Sequence, residues 1–91
     1  MLCKNSKYDK AESLFRQALQ TAQNAQDELT VAACFDNIGE ISFQQGWFEQ
    51  AEPYFVKALE IRRKKLPAGN EAIISSLNNL SATYFFKENI D

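Results

Sequence analysis

Hydrophobic side chains recur along this chain at the three- and four-residue spacing of amphipathic helices. The predicted helices cover about residues 6–25, 28–45, 47–66 and 70–87. No segment shows the strict alternation that is typical of a half-buried strand. Gly46 and the turn segment Pro67-Ala68-Gly69 separate neighbouring helices. Because the connections are short, we expect consecutive helices to pack antiparallel in an all-α fold.

Each predicted helix carries one apolar stripe that we expect to face the core. The stripes consist of Tyr8, Ala11, Leu14, Phe15, Ala18, Leu19 and Ala22; of Val31, Cys34, Phe35, Ile38, Ile41 and Ser42; of Phe48, Ala51, Phe55, Ala58, Leu59 and Arg62; and of Ile73, Leu77, Leu80 and Tyr84. Gly39 lies inside the second helix, although glycine weakens a helix interior by about 1 kcal/mol relative to alanine.

The helices alternate between two related types. The segment YDKAESLFRQAL aligns with FEQAEPYFVKAL at an offset of 40 residues, and FDNIGEISF aligns with LNNLSATYF at an offset of 42. Gly39 and Ser81 then occupy equivalent positions, and both are small. We therefore predict that Gly39 allows two helix axes to approach closely, which offsets its low helix propensity.

This pattern resembles the tetratricopeptide repeat (TPR) family, in which each repeat is a pair of helices, A and B. The matching positions are Phe35, Ile38, Gly39, Phe43, Gly46, Phe48, Ala51, Phe55 and Ala58. Ser42 stands where an aromatic residue is usual, and Arg63 replaces the usual proline. The segments AEPYFVKALEIR and NNLS are similar to the longer, kinesin-light-chain-like repeats. The resemblance implies an antiparallel helix-turn-helix solenoid of about four helices, in the order B-A-B-A.

The same resemblance implies a protein–protein interaction module that binds a peptide segment of a partner in the A-helix groove. The candidate peptide-binding residues are Asp36, Asn37, Glu40, Phe43, Gln44, Asn78, Asn79 and Phe85, with Ala82 and Phe86 on the same face. An asparagine amide both donates and accepts hydrogen bonds, so Asn37 and Asn79 can hold a peptide through its backbone. The alternative is that these amides bond to a neighbouring helix or to solvent.

Two classes of peptide ligand are conceivable for this groove. Some TPR domains bind C-terminal carboxylates through lysine and asparagine side chains. The matching positions here carry Ala33, Asp36 and Glu40, so we do not expect that ligand. The two acidic residues would favour a basic peptide, unless they simply form a solvated helix face.

Self-association is the alternative function. The predicted arrangement contains one whole repeat, over about residues 30–66, between two half repeats, whereas a stable solenoid usually needs about three repeats. We therefore expect either a fragment of a longer array or a single unit of residues 1–91 that forms homo-oligomers. The latter would dimerise or exchange helices through its terminal helices.

Composition argues against several other functions. The 91 residues carry a net charge of −2, whereas nucleic-acid binding needs a basic surface. The basic run Arg62-Arg63-Lys64-Lys65 is instead expected to complement the dipole at a helix end. No apolar run approaches the length of a membrane span, and the first residues lack the apolar core of a signal peptide.

The residues that carry most chemistry are scarce in this sequence. It contains no histidine, which removes the commonest catalytic base and the commonest metal ligand. Cys3 and Cys34 lack metal-like spacing and are expected to be free thiols in a reducing compartment, which points to the cytoplasm. We therefore expect no enzyme activity, no cofactor, no metal, and no nucleic-acid or membrane partner.

Overall fold

Four α-helices make up almost all of residues 3–89, the part of the chain whose backbone the computed structural model describes; side chains are described from Lys7 to Asn89. The helices are α1 (Cys3–Asn24), α2 (Glu28–Gln44), α3 (Phe48–Lys65) and α4 (Glu71–Asn89). Helices that follow one another in sequence pack against each other. The predicted all-α helix-turn-helix fold is confirmed for this part of the chain.

Two helices are longer than the sequence pattern predicts. Helix α1 begins at Cys3, before the expected start near residue 6, and α4 continues to Asn89, past residue 87. Neither extension contains a proline or a glycine, so nothing in the local sequence stops the helical backbone.

Asparagine and aspartate side chains begin the two A helices. Before α2, Asp27 accepts a hydrogen bond from the backbone N–H of Thr30 at 3.3 Å, and the Thr30 hydroxyl donates to the other Asp27 oxygen at 2.7 Å. Before α4, Asn70 Oδ1 accepts from the N–H of Ala72 at 2.8 Å. These side chains satisfy backbone donors that a helix start leaves without partners.

A left-handed residue ends α2 at Gly46, whose φ is 84°. The N–H of Gly46 donates to the Phe43 carbonyl at 3.0 Å, and the N–H of Trp47 donates to the Ser42 carbonyl at 2.9 Å. This pair of bonds forms a Schellman motif, which reverses the chain and sends it directly into α3.

The same motif ends α1, but with a different residue. The N–H of Gln26 donates to the Gln23 carbonyl at 3.1 Å, and the N–H of Asp27 donates to the Ala22 carbonyl at 3.0 Å. Gln26 takes the left-handed position with φ 59°, where Gly46 stands after α2. A residue with a Cβ atom is strained in this conformation.

Helix α3 lies at the centre of the molecule because it packs against both α2 and α4. The main core cluster consists of Ala51, Phe55, Leu59, Ile73 and Leu80, with Phe43, Val56 and Leu66 packed around it. Gly39 is buried where α2 meets α3, which confirms the predicted close approach at this position.

The predicted inward stripe of α4 is partly wrong. Leu77 and Tyr84 are each 43% exposed, while Ser76 and Thr83 are fully buried. Both buried hydroxyls are hydrogen-bonded: the Ser76 oxygen accepts from Arg62 at 2.8 Å, and Thr83 donates to the Asn79 carbonyl at 2.7 Å. Polar residues with satisfied hydrogen bonds therefore occupy core positions that a pattern of apolar residues cannot reveal.

The predicted stripe of α1 is also only partly buried. Leu14 is 64% exposed and Ala18 is exposed, whereas Ala22 is buried. Helix α1 packs against α2 on one side. Leu14 and Ala18 of its apolar stripe therefore stay exposed, while the other stripe residues are half-buried or buried.

Candidate functional site

One side of α2 presents polar side chains to solvent. Asn37, Glu40 and Gln44 follow one another at helical spacing; Asn37 is half-buried and the other two are exposed. Gln44 Nε2 donates to Glu40 Oε2 at 3.4 Å, a long hydrogen bond between exposed groups. Leu29, which sequence reasoning missed, is 42% exposed at the start of α2. Leu29 lies eight residues before Asn37, and this helical spacing indicates that the two residues lie on the same side of α2.

The corresponding side of α4 carries two asparagines. Asn79 is half-buried and Asn78 is exposed. Among the described residues, no hydrogen bond involves the side-chain amides of Asn37, Asn78 or Asn79. The Thr83 hydroxyl donates to the main-chain carbonyl of Asn79. The side-chain amide of Asn79 takes no part in this bond and can bind another partner.

Asp36 occupies a different environment from its neighbours on α2. Its carboxylate forms an ion pair with Arg62 of α3, and both side chains are largely buried, with 15% and 12% exposure. Arg62 also donates to Ser76 of α4, so this cluster links three helices. The second carboxylate oxygen of Asp36 is buried without a hydrogen-bond partner among the described residues. Asp36 therefore contacts the interior rather than the exposed face.

The charge of Asp36 is poorly accommodated at this position. Burial raises the pKa of its carboxyl above the usual 3.8, and the attraction of Arg62 offsets only part of that rise. The negative charge of Glu40 raises the pKa further. The family resemblance placed Asp36 among the candidate peptide-binding residues. Its partner Arg62 lies 26 residues away, so no local pattern indicates the ion pair.

The aromatic candidates lie together near the end of the two A helices. Phe43 is half-buried, and its ring centroid lies 5.7 Å from that of Phe86 and 5.1 Å from that of Phe48. Phe86 also stacks on Phe48 at 5.7 Å, with 17° between the ring planes. Phe85 meets Phe86 edge-on at 5.3 Å and is 61% exposed. The structure therefore joins α2 and α4 through Phe43 and Phe86, with Phe85 projecting outward.

These groups can hydrogen-bond and make apolar contacts. In the described part of the chain, no three acidic or thiol side chains come together as a metal site would require. Among the same residues, no helix combines the length and apolar character needed to cross a membrane. The face consequently offers amide donors and acceptors beside exposed aromatic rings.

Comparison with known proteins gives one family match. The family model described as tetratricopeptide repeat matches residues 1–64. No curated protein matches the chain, and no solved structure matches it. The match spans α1, α2 and nearly all of α3, and it includes the close approach at Gly39. The chain belongs to the tetratricopeptide repeat family, whose repeats are generally non-enzymatic modules for protein–protein interaction.

Proposed function

We propose that this chain, as one tetratricopeptide-like unit, binds a peptide segment of a partner protein on the A-helix face. That face is formed by Asn37, Glu40 and Gln44 of α2 and by Asn78 and Asn79 of α4. The observation that carries the proposal is that Asn37 and Asn79 are half-buried at equivalent repeat positions, with no hydrogen bond to their amides among the described residues. A peptide backbone supplies both the donor and the acceptor that each amide needs.

The remaining candidates would contribute in three ways. Phe85, which is largely exposed, offers an apolar contact for a peptide side chain, and Phe43 supports the neighbouring ring of Phe86. Asp36 would act indirectly, because its ion pair with Arg62 fixes α2 relative to α3. Glu40 is then the acidic group on this face of α2 that is free to favour a basic peptide residue.

The resemblance to kinesin-light-chain-like repeats supports this role for the asparagines. In such repeats, asparagines at the same place hold an extended peptide by its backbone. We propose a cytoplasmic location, supported by the buried Cys34 thiol, which forms no disulfide. A scaffold role in a larger assembly would follow from such binding.

A peptide-display experiment tests the groove. Random peptides displayed on phage would be selected on the immobilised chain, and the best binder would be measured by isothermal titration calorimetry. Loss of the two amides in Asn37→Ala/Asn79→Ala should weaken binding at least about tenfold, since each hydrogen bond to a buried amide contributes about 1 kcal/mol. The matched control is Gln20→Ala/Gln50→Ala, which removes two exposed amides from α1 and α3.

Unchanged affinity in the asparagine variant, or an equal loss in the glutamine control, would overturn the proposal. The proposal would also be overturned if no peptide that binds at this face were selected. Circular dichroism of each variant checks that the helices remain folded, because Asn37 and Asn79 are half-buried.

Self-association is the second candidate function. It is favoured by the apolar side chains exposed on the two terminal helices, which include Leu14 of α1 and Ile74, Leu77 and Phe85 of α4. Large exposed apolar surfaces of this kind are typical of protein interfaces.

A further inference from the structure

The contact between α2 and α3 provides a template for a second interface. Gly39 of α2 lies against Phe55 and Tyr54 of α3, with the nearest ring atom 2.9 Å from the position of an added Cβ. Beside it, the ring centroids of Phe35 and Tyr54 are 6.1 Å apart, and those of Phe43 and Phe55 are 6.5 Å apart. A small residue flanked by two large ones on the A helix therefore accepts the bulky residues of the B helix.

Helix α4 repeats this A-helix surface without a described neighbour upon it. The 42-residue offset places Leu77, Ser81 and Phe85 where α2 has Phe35, Gly39 and Phe43. Leu77 is 43% exposed, Phe85 is 61% exposed, and Ser81 is exposed between them. In α2 the equivalent surface is covered by α3, which explains why Gly39 is buried and Ser81 is not.

Helix α1 repeats the matching B-helix surface, which is partly uncovered: Tyr8 and Phe15 are half-buried, and the other two residues are exposed. The 40-residue offset places Tyr8, Leu14, Phe15 and Ala18 where α3 has Phe48, Tyr54, Phe55 and Ala58. Leu14 is 64% exposed, and Ala18 is exposed whereas Ala58 is fully buried. The two ends of the molecule thus carry the two halves of one interface.

We propose that α4 of one copy packs on α1 of a second copy in the register of α2 on α3. In this register, Leu14 of one copy contacts Leu77 and Ser81 of the next. Tyr8 and Phe15 then flank Phe85, as Phe48 and Phe55 flank Phe43 within the chain. The proposal rests on self-association, the second candidate function. It names the two surfaces that meet and joins the copies head to tail.

Charge is compatible with this register. The buried ion pair between Asp36 and Arg62 spans the α2–α3 contact. The equivalent positions in the new contact are Asn78 and Ala22, and neither carries a charge. Docking in this register therefore buries no unmatched charge there, which would otherwise oppose association.

The contact joins unlike surfaces, so it is heterologous. Each copy that uses its α4 still has a free α1, and a third copy can add in the same way. Such contacts produce rings if the rotation closes and open assemblies if it does not, rather than a symmetric dimer. The expected product is therefore either a closed ring or a series of species that lengthens with protein concentration, and in both cases it exceeds a dimer.

Light scattering coupled to size exclusion tests the proposal across a micromolar to millimolar concentration series. The weight-average mass should rise past twice the monomer mass of 10.4 kDa without a plateau at the dimer. Two single variants block one surface each: Leu14→Glu on α1 and Ser81→Glu on α4, which carry the same charge so that the two blocked surfaces also repel each other. Leu14 is 64% exposed and Ser81 is exposed in one copy, so each variant should keep its helical circular dichroism and remain monomeric.

Mixing the two variants gives the decisive measurement. Leu14→Glu retains an intact α4 surface, and Ser81→Glu retains an intact α1 surface, so an equimolar mixture should form a 1:1 dimer and nothing larger. The matched control is Leu29→Glu on the A-helix face, where the leucine is 42% exposed; it should assemble as the parent does.

Several results would overturn the proposal. These are a parent chain that stays monomeric throughout the series, dimerisation of either blocked variant alone, and a mixture that stays monomeric. If assembly were lost in Leu29→Glu alone, the contact between copies would involve the peptide-binding face of α2 and not the proposed surfaces of α4 and α1.

Asn78 and Phe85 belong both to the proposed peptide-binding face and to this contact. Peptide binding is therefore tested with Asn37 and Asn79, which lie outside the contact, at protein concentrations where the chain is monomeric. Under that condition the failure of one proposal does not decide the other.

Discussion

Gly39 of α2 lies directly against the ring of Phe55 in α3. A Cβ atom added to Gly39 would be 2.9 Å from Cε1 of Phe55 and 3.2 Å from Cβ of Tyr54. Phe55 is 2% exposed, so its ring is held by the surrounding core and cannot readily move away. The glycine therefore sets how closely the two helices approach.

We expect Gly39→Leu to lower the free energy of unfolding by about 3 kcal/mol, because overpacking a buried contact forces helices or rotamers to shift. Gly39→Ala should cost less, since its gain of about 1 kcal/mol in helix propensity opposes the clash. Urea unfolding followed by circular dichroism at low protein concentration measures both values.

Ser81→Leu is the matched control for this prediction. Ser81 occupies the repeat position of Gly39, but it is exposed on α4. Leucine there should leave the stability of the single molecule within about 0.5 kcal/mol of the parent, as surface substitutions usually do. Equal changes in the free energy of unfolding for Gly39→Leu and Ser81→Leu would show that helix propensity, rather than packing against Phe55, determines the effect of substituting Gly39.

The ion pair between Asp36 and Arg62 gives a second prediction. Arg62→Met should lower the free energy of unfolding by about 3 kcal/mol at neutral pH, because it leaves the Asp36 carboxylate buried without its partner. The double variant Asp36→Leu/Arg62→Met should recover most of that loss. If the double variant is as unstable as the single one, packing of the arginine stem rather than its charge is responsible.

Acid should reduce the effect of Arg62→Met. The pKa of Asp36 is raised in the folded protein by burial, so the folded state binds this proton more tightly than the unfolded chain does. Protonation of Asp36 therefore stabilises the folded state. This contribution is fully present below about pH 3.8, and it is lost as pH rises through the pKa of Asp36 in the folded protein. The variant should thus differ less from the parent at acid pH than at neutral pH. A difference that is constant across this range would exclude an ionised Asp36 as its cause.

The sequence predicts the fold more fully than the site. The small residues at positions 39 and 81 recur at one place in the repeat, so the sequence alone indicates the close packing at Gly39. The burial of Ser76 and Thr83 has no such signal, because it depends on Arg62 and on a main-chain carbonyl.

The candidate site divides in the same way. The family resemblance assigns Asn37, Glu40 and Gln44 to one face, and in the structure Asn37 is half-buried while Glu40 and Gln44 are exposed. Asp36 is assigned to the same face by the resemblance, but its side chain is largely buried in an ion pair with Arg62, a tertiary contact that no local pattern indicates. Peptide binding by the accessible residues stays a prediction.

Glu52 gives a third prediction, with the opposite dependence on pH. Its carboxylate accepts hydrogen bonds from Lys87 at 2.8 Å and Tyr84 at 2.9 Å, which join α3 to the end of α4. These bonds lower the pKa of Glu52 below its usual 4.5, so its contribution to stability is present above that pH and is lost as pH falls through the folded pKa.

We therefore expect Glu52→Gln to lower the melting temperature slightly at neutral pH and to match the parent in acid. Hydrogen exchange should show faster opening of the last turns of α4 at neutral pH. Glu60→Gln is the control, because Glu60 is an exposed acid on the same helix without a described ion pair. A neutral-pH loss that persists unchanged in acid would contradict the assigned role of the Glu52 charge.

The left-handed residues at the ends of α1 and α2 give a fourth prediction, in which one substitution stabilises the protein. Gln26 and Gly46 occupy the same place in two Schellman motifs, with φ of 59° and 84°. Because only glycine adopts this conformation without strain, Gln26→Gly should raise the free energy of unfolding by up to about 1 kcal/mol. Gly46→Ala should lower it by about 1 kcal/mol.

The loss at Gly46 has a backbone cause, since no atom lies within 4 Å of an added Cβ there. The control is Gln23→Gly, which places glycine in the last turn of α1, where residues keep helical backbone angles. It should destabilise the protein by up to about 1 kcal/mol through lost helix propensity. Opposite signs at residues 23 and 26, three positions apart, would attribute the effect to the backbone angle alone. Destabilisation by Gln26→Gly would instead mean that the glutamine side chain contributes more than the relief of strain.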